Sequence, residues 1–153
     1  MGIRYGREDD AAPLAKYEAE LFSAAAGEAL LRRMLRDGRH VFLLEEEGGL
    51  LRGWVWYEFV LDEGYAGDVA VLPPFRKQGL GEALVRAMLS DAQSRGLSFL
   101  TLEVRAGNGE ARRLYERCGF QTAGLRRNYY EKPAEDAVLM TYTFNKEEAK
   151  KSC

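Results

Sequence analysis

The stretch Val71-Leu72-Pro73-Pro74-Phe75-Arg76-Lys77-Gln78-Gly79-Leu80-Gly81 joins a strand to a helix. Before it, Asp68 to Leu72 reads as a short strand, cut by the two prolines. After it, Leu80, Ala83, Leu84, Ala87, Met88 and Ala92 recur at i, i+3 and i+4 spacing, and Gly96 ends the run. Two glycines at such a junction let the backbone come close to a ligand. The first amides of a helix have no partner inside it and carry the positive end of its dipole. With Arg76 and Lys77 beside them, these amides make a site for a phosphate or pyrophosphate. The plainer alternative is that Gly79 and Gly81 only shape a tight turn; the junction and its basic neighbours favour the site. Two other phosphate motifs do not fit. A P-loop needs Lys-Ser or Lys-Thr after its second glycine, where Glu82-Ala83 stands, and no G-x-G-x-x-G triplet is present.

Outward from this unit, Leu97 to Val104 reads as a strand and Asn108 to Arg117 as a helix, with Gly119 just past its end. Phe120 to Leu125 and Ala137 to Phe144 are the last strands. Toward the N-terminus, Ile3 to Tyr5 is a short strand, and Asp9-Asp10 is placed to cap a helix through about Phe22. Leu30, Leu31, Met34 and Leu35 mark a second helix, with Gly38 as its C′ residue. His40 to Glu45 and Leu51 to Phe59 form a hairpin about Glu47-Gly48-Gly49. Central alternation with hairpins at the ends predicts an α/β domain with a mixed central sheet and helices on both faces. The unit from Asp68 to Val104 is expected to be parallel and right-handed.

The 153 residues suit one domain, taken as residues 1–145, with residues 146–153 a polar tail expected to be disordered. A formal net charge of -2 argues against a nucleic-acid partner. Cys118 and Cys153 make neither a metal spacing nor a disulfide framework, and fit a reducing cytoplasm. No apolar run reaches the ~20 residues of a membrane span, and no secretory signal core opens the chain. The expectation is a soluble, cytoplasmic protein with no membrane and no metal, monomeric or weakly dimeric.

The Arg76-x-x-Gly79-x-Gly81 arrangement is followed in order by Leu102-Glu103-Val104-Arg105, Asn108, Leu114-Tyr115-Glu116 and Cys118-Gly119-Phe120. This ordered set resembles the GNAT superfamily of acetyl-CoA-dependent N-acetyltransferases. Arg126-Arg127-Asn128-Tyr129-Tyr130 and Glu135-Asp136-Ala137 look more specifically like its N-terminal acetyltransferase branch, closest to the bacterial ribosomal-protein-alanine N-acetyltransferases. The resemblance runs from Val60 to Phe144 and is faint before that. It implies the GNAT fold, a sheet opened between the strand ending near Val71 and the one ending near Val104. In that opening the backbone of Val69, Ala70 and Val71 would pair with the pantetheine arm. Arg76 and the amides of Lys77, Gln78, Gly79, Leu80, Gly81 and Glu82 would hold the pyrophosphate, and Asn108 the cofactor arm. Two positions depart from the family. Phe22 is followed by Ser23-Ala24-Ala25-Ala26 where a Pro-Trp pair is frequent, and Asp68 stands where an asparagine or another small polar residue is usual.

Acetyl transfer from a thioester needs a neutral amine and a proton donor for the departing thiolate. Glu103 lies in a strand otherwise made of Leu, Phe, Thr and Val, on one face with Leu97, Phe99 and Thr101. By itself it reads as a strand-end glutamate pairing with Arg105; the resemblance makes it the base, acting through a water. Tyr115 sits on an apolar stripe where a core role is the ordinary one; the resemblance makes it the acid. Asn108 is equally placed as an N-cap. Tyr129 and Tyr130 could be plain strand-end aromatics; the resemblance lays them over the acceptor's first residue. His40, the one histidine, begins a strand far from the motif and reads as structural. The expected acceptor is therefore a protein N-terminus, with the N-terminal alanine of a small-subunit ribosomal protein as the implied case. The alternatives are a lysine side chain or small amine, and a CoA-binding regulatory module without turnover.

Overall fold

The structure, a computed structural model, describes residues 2–22, 25–131 and 133–144. Strand β1 (Gly2–Tyr5) leads through a 3-10 turn at Glu8–Asp10 into α1 (Ala11–Leu21) and α2 (Glu28–Arg36). Strands β2 (His40–Glu47) and β3 (Leu50–Val60) form a hairpin about Gly48 and Gly49, both at positive φ as a tight two-residue turn of this hand requires. Then come β4 (Glu63–Ala66), β5 (Ala70–Val71), α3 (Leu80–Ser94), β6 (Phe99–Arg105), α4 (Gly109–Arg117), β7 (Gln121–Tyr130) and β8 (Glu135–Thr143). One mixed sheet runs in the order β1-β2-β3-β4-β6-β8-β7, with β5 attached to β3.

Two helices cover each face. On β2, Val41 and Leu43 pack with Leu84, Val85 and Met88 of α3 and with Tyr115 of α4. The intervening Phe42 and Leu44 pack with Leu14 of α1 and Leu31 of α2. Buried on both sides, β2 is apolar at every position from Val41 to Leu44, and the buried Glu45 that follows accepts from Arg52 at 2.7 Å.

The structure changes three expectations. Asp68 to Leu72 is not one strand: only Ala70–Val71 keeps strand pairing, antiparallel to β3 at Trp54 and Gly53. The parallel partner of β6 is instead β4, which the sequence reading missed, with Glu63, Gly64 and Tyr65 opposite Phe99, Leu100 and Thr101. Glycine accounts for both. A Cβ at Gly64 would come within 2.5 Å of Leu100, so this strand carries no β-branched residue at its closest contact. A Cβ at Gly67 would come within 2.2 Å of the Trp56 ring, so the chain passes flat beneath the indole before β5 resumes. Past Tyr65 and Thr101 no further β4–β6 pair forms, and the sheet opens there. Third, Asp10 does not cap α1 with its side chain. Its carboxylate takes both arms of Arg4, each at 2.9 Å, and the Arg7 amide at 2.7 Å. The expected tail, 146–153, lies outside the described residues, as do Ser23 and Ala24.

Candidate active site

Beside the opening lies a cleft of about 450 Å3. Tyr65 and Asp68 line it from the β4–β5 segment, Glu103 and Arg105 from β6, Tyr129 and Tyr130 from β7, and Glu18 and Phe22 from the end of α1. The alternation of β6 sends Leu100, Leu102 and Val104 into the core and Glu103 to the other face.

The Glu103 side chain is 7% exposed. Its Oε1 is 3.6 Å from Arg126 Nε, too long for a hydrogen bond, and its Oε2 is buried with no hydrogen-bond partner. Leaving a buried acceptor unpaired costs about 1–3 kcal/mol, so this oxygen favours a donor that enters the cleft. Two phenols face this carboxylate. Burial first, and then the charge of Glu103, raise the pKa of Tyr65; interaction with Glu103 first, and then burial, raise that of Tyr129. Both therefore keep their protons near neutral pH.

Tyr115 approaches from the opposite face. It is 4% exposed on α4, edge-on to Phe120 with ring centroids 5.5 Å apart. Burial, then the negative charge of Asp68, raise its pKa, while a hydrogen bond from the Val69 amide works the other way. The phenol thus reaches the point where the chain leaves β4. Glu103 and Tyr115 stand on opposite faces of the sheet, on either side of its opening.

The junction predicted to hold phosphate opens α3. Gly79 is the N-cap of α3 at φ 81 and supplies no capping side chain. The first α3 bond runs from the Ala83 amide to the Gly79 carbonyl at 3.1 Å, so the amides of Leu80, Gly81 and Glu82 precede the helix's own ladder. Lys77 is at φ 64, and Arg76 Nε donates to the Val71 carbonyl at 3.0 Å. The Glu82 carboxylate bends away to Arg86 and Arg117 at 3.4 and 3.3 Å. One edge of Ala70–Val71 is taken by β3, and β6 does not pair with the other. This combination of uncapped amides and a strand edge fits a pyrophosphate joined to an extended amide-bearing arm. Asn108 is the N-cap of α4, its Oδ1 accepting from the Ala111 amide at 3.2 Å.

Tyr129 and Tyr130 stack edge-on to each other, ring centroids 5.1 Å apart. Asn128 adopts φ 53 within an irregularity of the β7–β8 ladder, and its amide donates to Asp136 at 2.8 Å. That bulge re-aims the strand end, as bulges near functional sites do. The sequence reading passed over Tyr65 and the cleft roles of Glu18 and Arg105, and took Asp68 only as a departure. A four-residue strand with Gly64 and Ala66 at its buried positions gives no hydrophobic alternation to reveal Tyr65.

Residues 8–120 match the Acetyltransferase (GNAT) family. A Bacillus subtilis protein with the provisional name ribosomal protein bS18-alanine N-acetyltransferase is 31% identical over 144 residues, 94% of this chain and 95% of that protein. The ribosomal protein bS18-alanine N-acetyltransferase of Escherichia coli strain K12 is 41% identical over 96 residues, 61% of this chain and 65% of its own length. The crystal structure of the ribosomal-protein-S18-alanine N-acetyltransferase from Escherichia coli superimposes with a TM-score of 0.85 at 30% identity, covering 93% of this chain and 92% of that one.

Proposed function

The chain belongs to the acetyltransferase (GNAT) family of acetyl-CoA-dependent N-acetyltransferases, and we propose that it acetylates the α-amine of a protein N-terminus, with the N-terminal alanine of a ribosomal protein as its acceptor. The observation that carries this reading is the Glu103 carboxylate, buried in the cleft with one oxygen unpartnered. The names of the relatives on either side of the comparison support the acceptor.

Acetyl-CoA, when bound, supplies the activated acyl group. Its pyrophosphate would be held by the amides from Lys77 through Glu82, with Arg76 alongside, and its amide-bearing arm by the backbone of Val69, Ala70 and Val71. Asn108 would border that arm while capping α4. Glu103 takes a proton from the acceptor's ammonium, directly or through one water, and leaves it a neutral nucleophile. Tyr115, held protonated by burial, gives its hydroxyl proton to the departing sulfur. Tyr129 and Tyr130 close over the acceptor's first residue and favour a small one.

The α-amine suits a single carboxylate base. An α-amino group has a pKa of about 7.7–8.0 and lysine about 10.4, so near neutral pH far more of the former is already uncharged. The test uses two peptides that begin with alanine and contain one internal lysine, one with its N-terminus free and one with it blocked. Mass spectrometry should place the acetyl group on the free α-amine. Lysine acetylation of the blocked peptide at an equal or higher rate would replace this reading with the lysine one.

A further inference from the structure

The cleft holds a second carboxylate that this mechanism leaves unused. Asp68 lies at the step between β4 and β5, next to the Val69 whose amide bonds the Tyr115 hydroxyl. Among the described residues its carboxylate has no hydrogen-bond or salt-bridge partner, and the residue is exposed where it lines the cleft. The charged and titratable groups around it come from four elements: Glu18 of α1, Arg105 of β6, Tyr115 of α4 and Tyr130 of β7.

The nearest candidate to neutralise Asp68 is engaged elsewhere. Arg105 gives Nη1 to Glu135 at 3.3 Å and to the Pro133 carbonyl at 3.1 Å, and Nη2 to the Glu131 carbonyl at 3.4 Å. Glu18, the other carboxylate nearby, accepts from the Ala26 amide at 3.3 Å, which ties it to the α1–α2 connection. Asp68 is thus the cleft carboxylate without a structural duty. Though exposed at its surface, it is crowded by the cleft walls, which push its pKa up, while the charge of Arg105 works the other way. An unpaired carboxylate on the wall of the cleft is placed to make a charge-assisted hydrogen bond with an incoming cation.

We propose that Asp68 is a specificity-determining residue, whose carboxylate holds the acceptor's ammonium group as it enters the cleft, so that the enzyme captures its acceptor as a cation. The inference rests on the acetyl-transfer reading above. The captured R–NH3+ then loses one N–H proton to Glu103, where an O–H bond forms, and the neutral amine attacks. An amide side chain at this position could donate to or accept from the amine but would not attract its charge.

The experiment is steady-state kinetics of Asp68→Asn and Asp68→Ser against a free-amine alanine peptide, at low and high salt. Asparagine keeps the size of the side chain, and calorimetric titration with acetyl-CoA checks that both variants are folded. The expected result is a peptide KM raised about tenfold or more, kcat within about threefold of wild type, and acetyl-CoA affinity kept. The wild-type advantage should also shrink as salt rises, since screening acts on the charge and leaves shape alone. An unchanged peptide KM, or a loss confined to kcat, would overturn the role of Asp68 while leaving the acetyl-transfer reading intact. No transfer by the wild type to any peptide would remove both.

Discussion

The guanidinium carbon of Arg105 lies 4.3 Å from the centroid of the Tyr130 ring, while its nitrogens bind the carbonyls of Glu131 and Pro133. One residue of β6 thereby holds both the turn between β7 and β8 and an aromatic that lines the cleft. The segment is held by a planar fork and a stacked face together, a combination an ammonium does not reproduce.

Arg105→Ala should therefore act on acceptor binding before chemistry. We expect the peptide KM to rise about tenfold, near 1.4 kcal/mol, with kcat changed less. Arg105→Lys should recover only part of the loss. Equal KM values for wild type and Arg105→Ala would show that the hairpin tip needs no such anchor.

The cradle is tested at Gly81. A Cβ there would meet Leu114 Cδ2 at 3.4 Å and Val71 Cγ2 at 3.8 Å, which is ordinary contact. An acidic residue in the first turn of a helix also suits its dipole. Gly81→Asp should thus fold as well as wild type, yet place a negative charge beside the amides proposed to hold pyrophosphate. The expected loss of acetyl-CoA affinity is at least about tenfold. Unchanged binding by calorimetry would remove the cradle.

How far the sequence carried the reading follows from which signals are local. Helix α3 and its glycine junction were legible because a 3.6-residue stripe and two glycines lie within one continuous segment. The β2–β3 hairpin was legible from Gly48-Gly49. Strand β4 was not, because its identity depends on Gly64 meeting Leu100 across the sheet, 36 residues away. The extension of β7 to Tyr130 was hidden as well. Nearly all its residues are exposed, so the backbone ladder to β8 holds it and no apolar pattern marks it. The choice of Glu103 and Tyr115 came from resemblance, and local patterning alone would have made both structural. Their placement on either side of the sheet opening is a tertiary fact.

Acid should weaken the N-terminal lock. The hydrogen bonds from Arg4, as the largest influence, hold the Asp10 carboxyl below its ordinary value. A carboxyl whose folded pKa is depressed adds stability above its unfolded pKa of about 3.9, and that stability is lost as pH falls through the folded value. Asp10→Asn should cost about 1 kcal/mol at pH 6 and much less at pH 2. Urea unfolding at the two pH values gives the comparison; an equal cost at both would mean that the pair adds nothing through its charge.

The central claim is that the buried Glu103 carboxylate is the base of acetyl transfer, and Glu103→Gln with an alanine-first peptide tests it most directly. The amide keeps the shape of the side chain and cannot accept the ammonium proton as a carboxylate does. Loss of a general base costs roughly 10²–10⁴ in rate. We predict a fall in kcat within that range, with acetyl-CoA affinity by calorimetry essentially unchanged. Turnover by Glu103→Gln at the wild-type rate across the pH range would contradict the assignment.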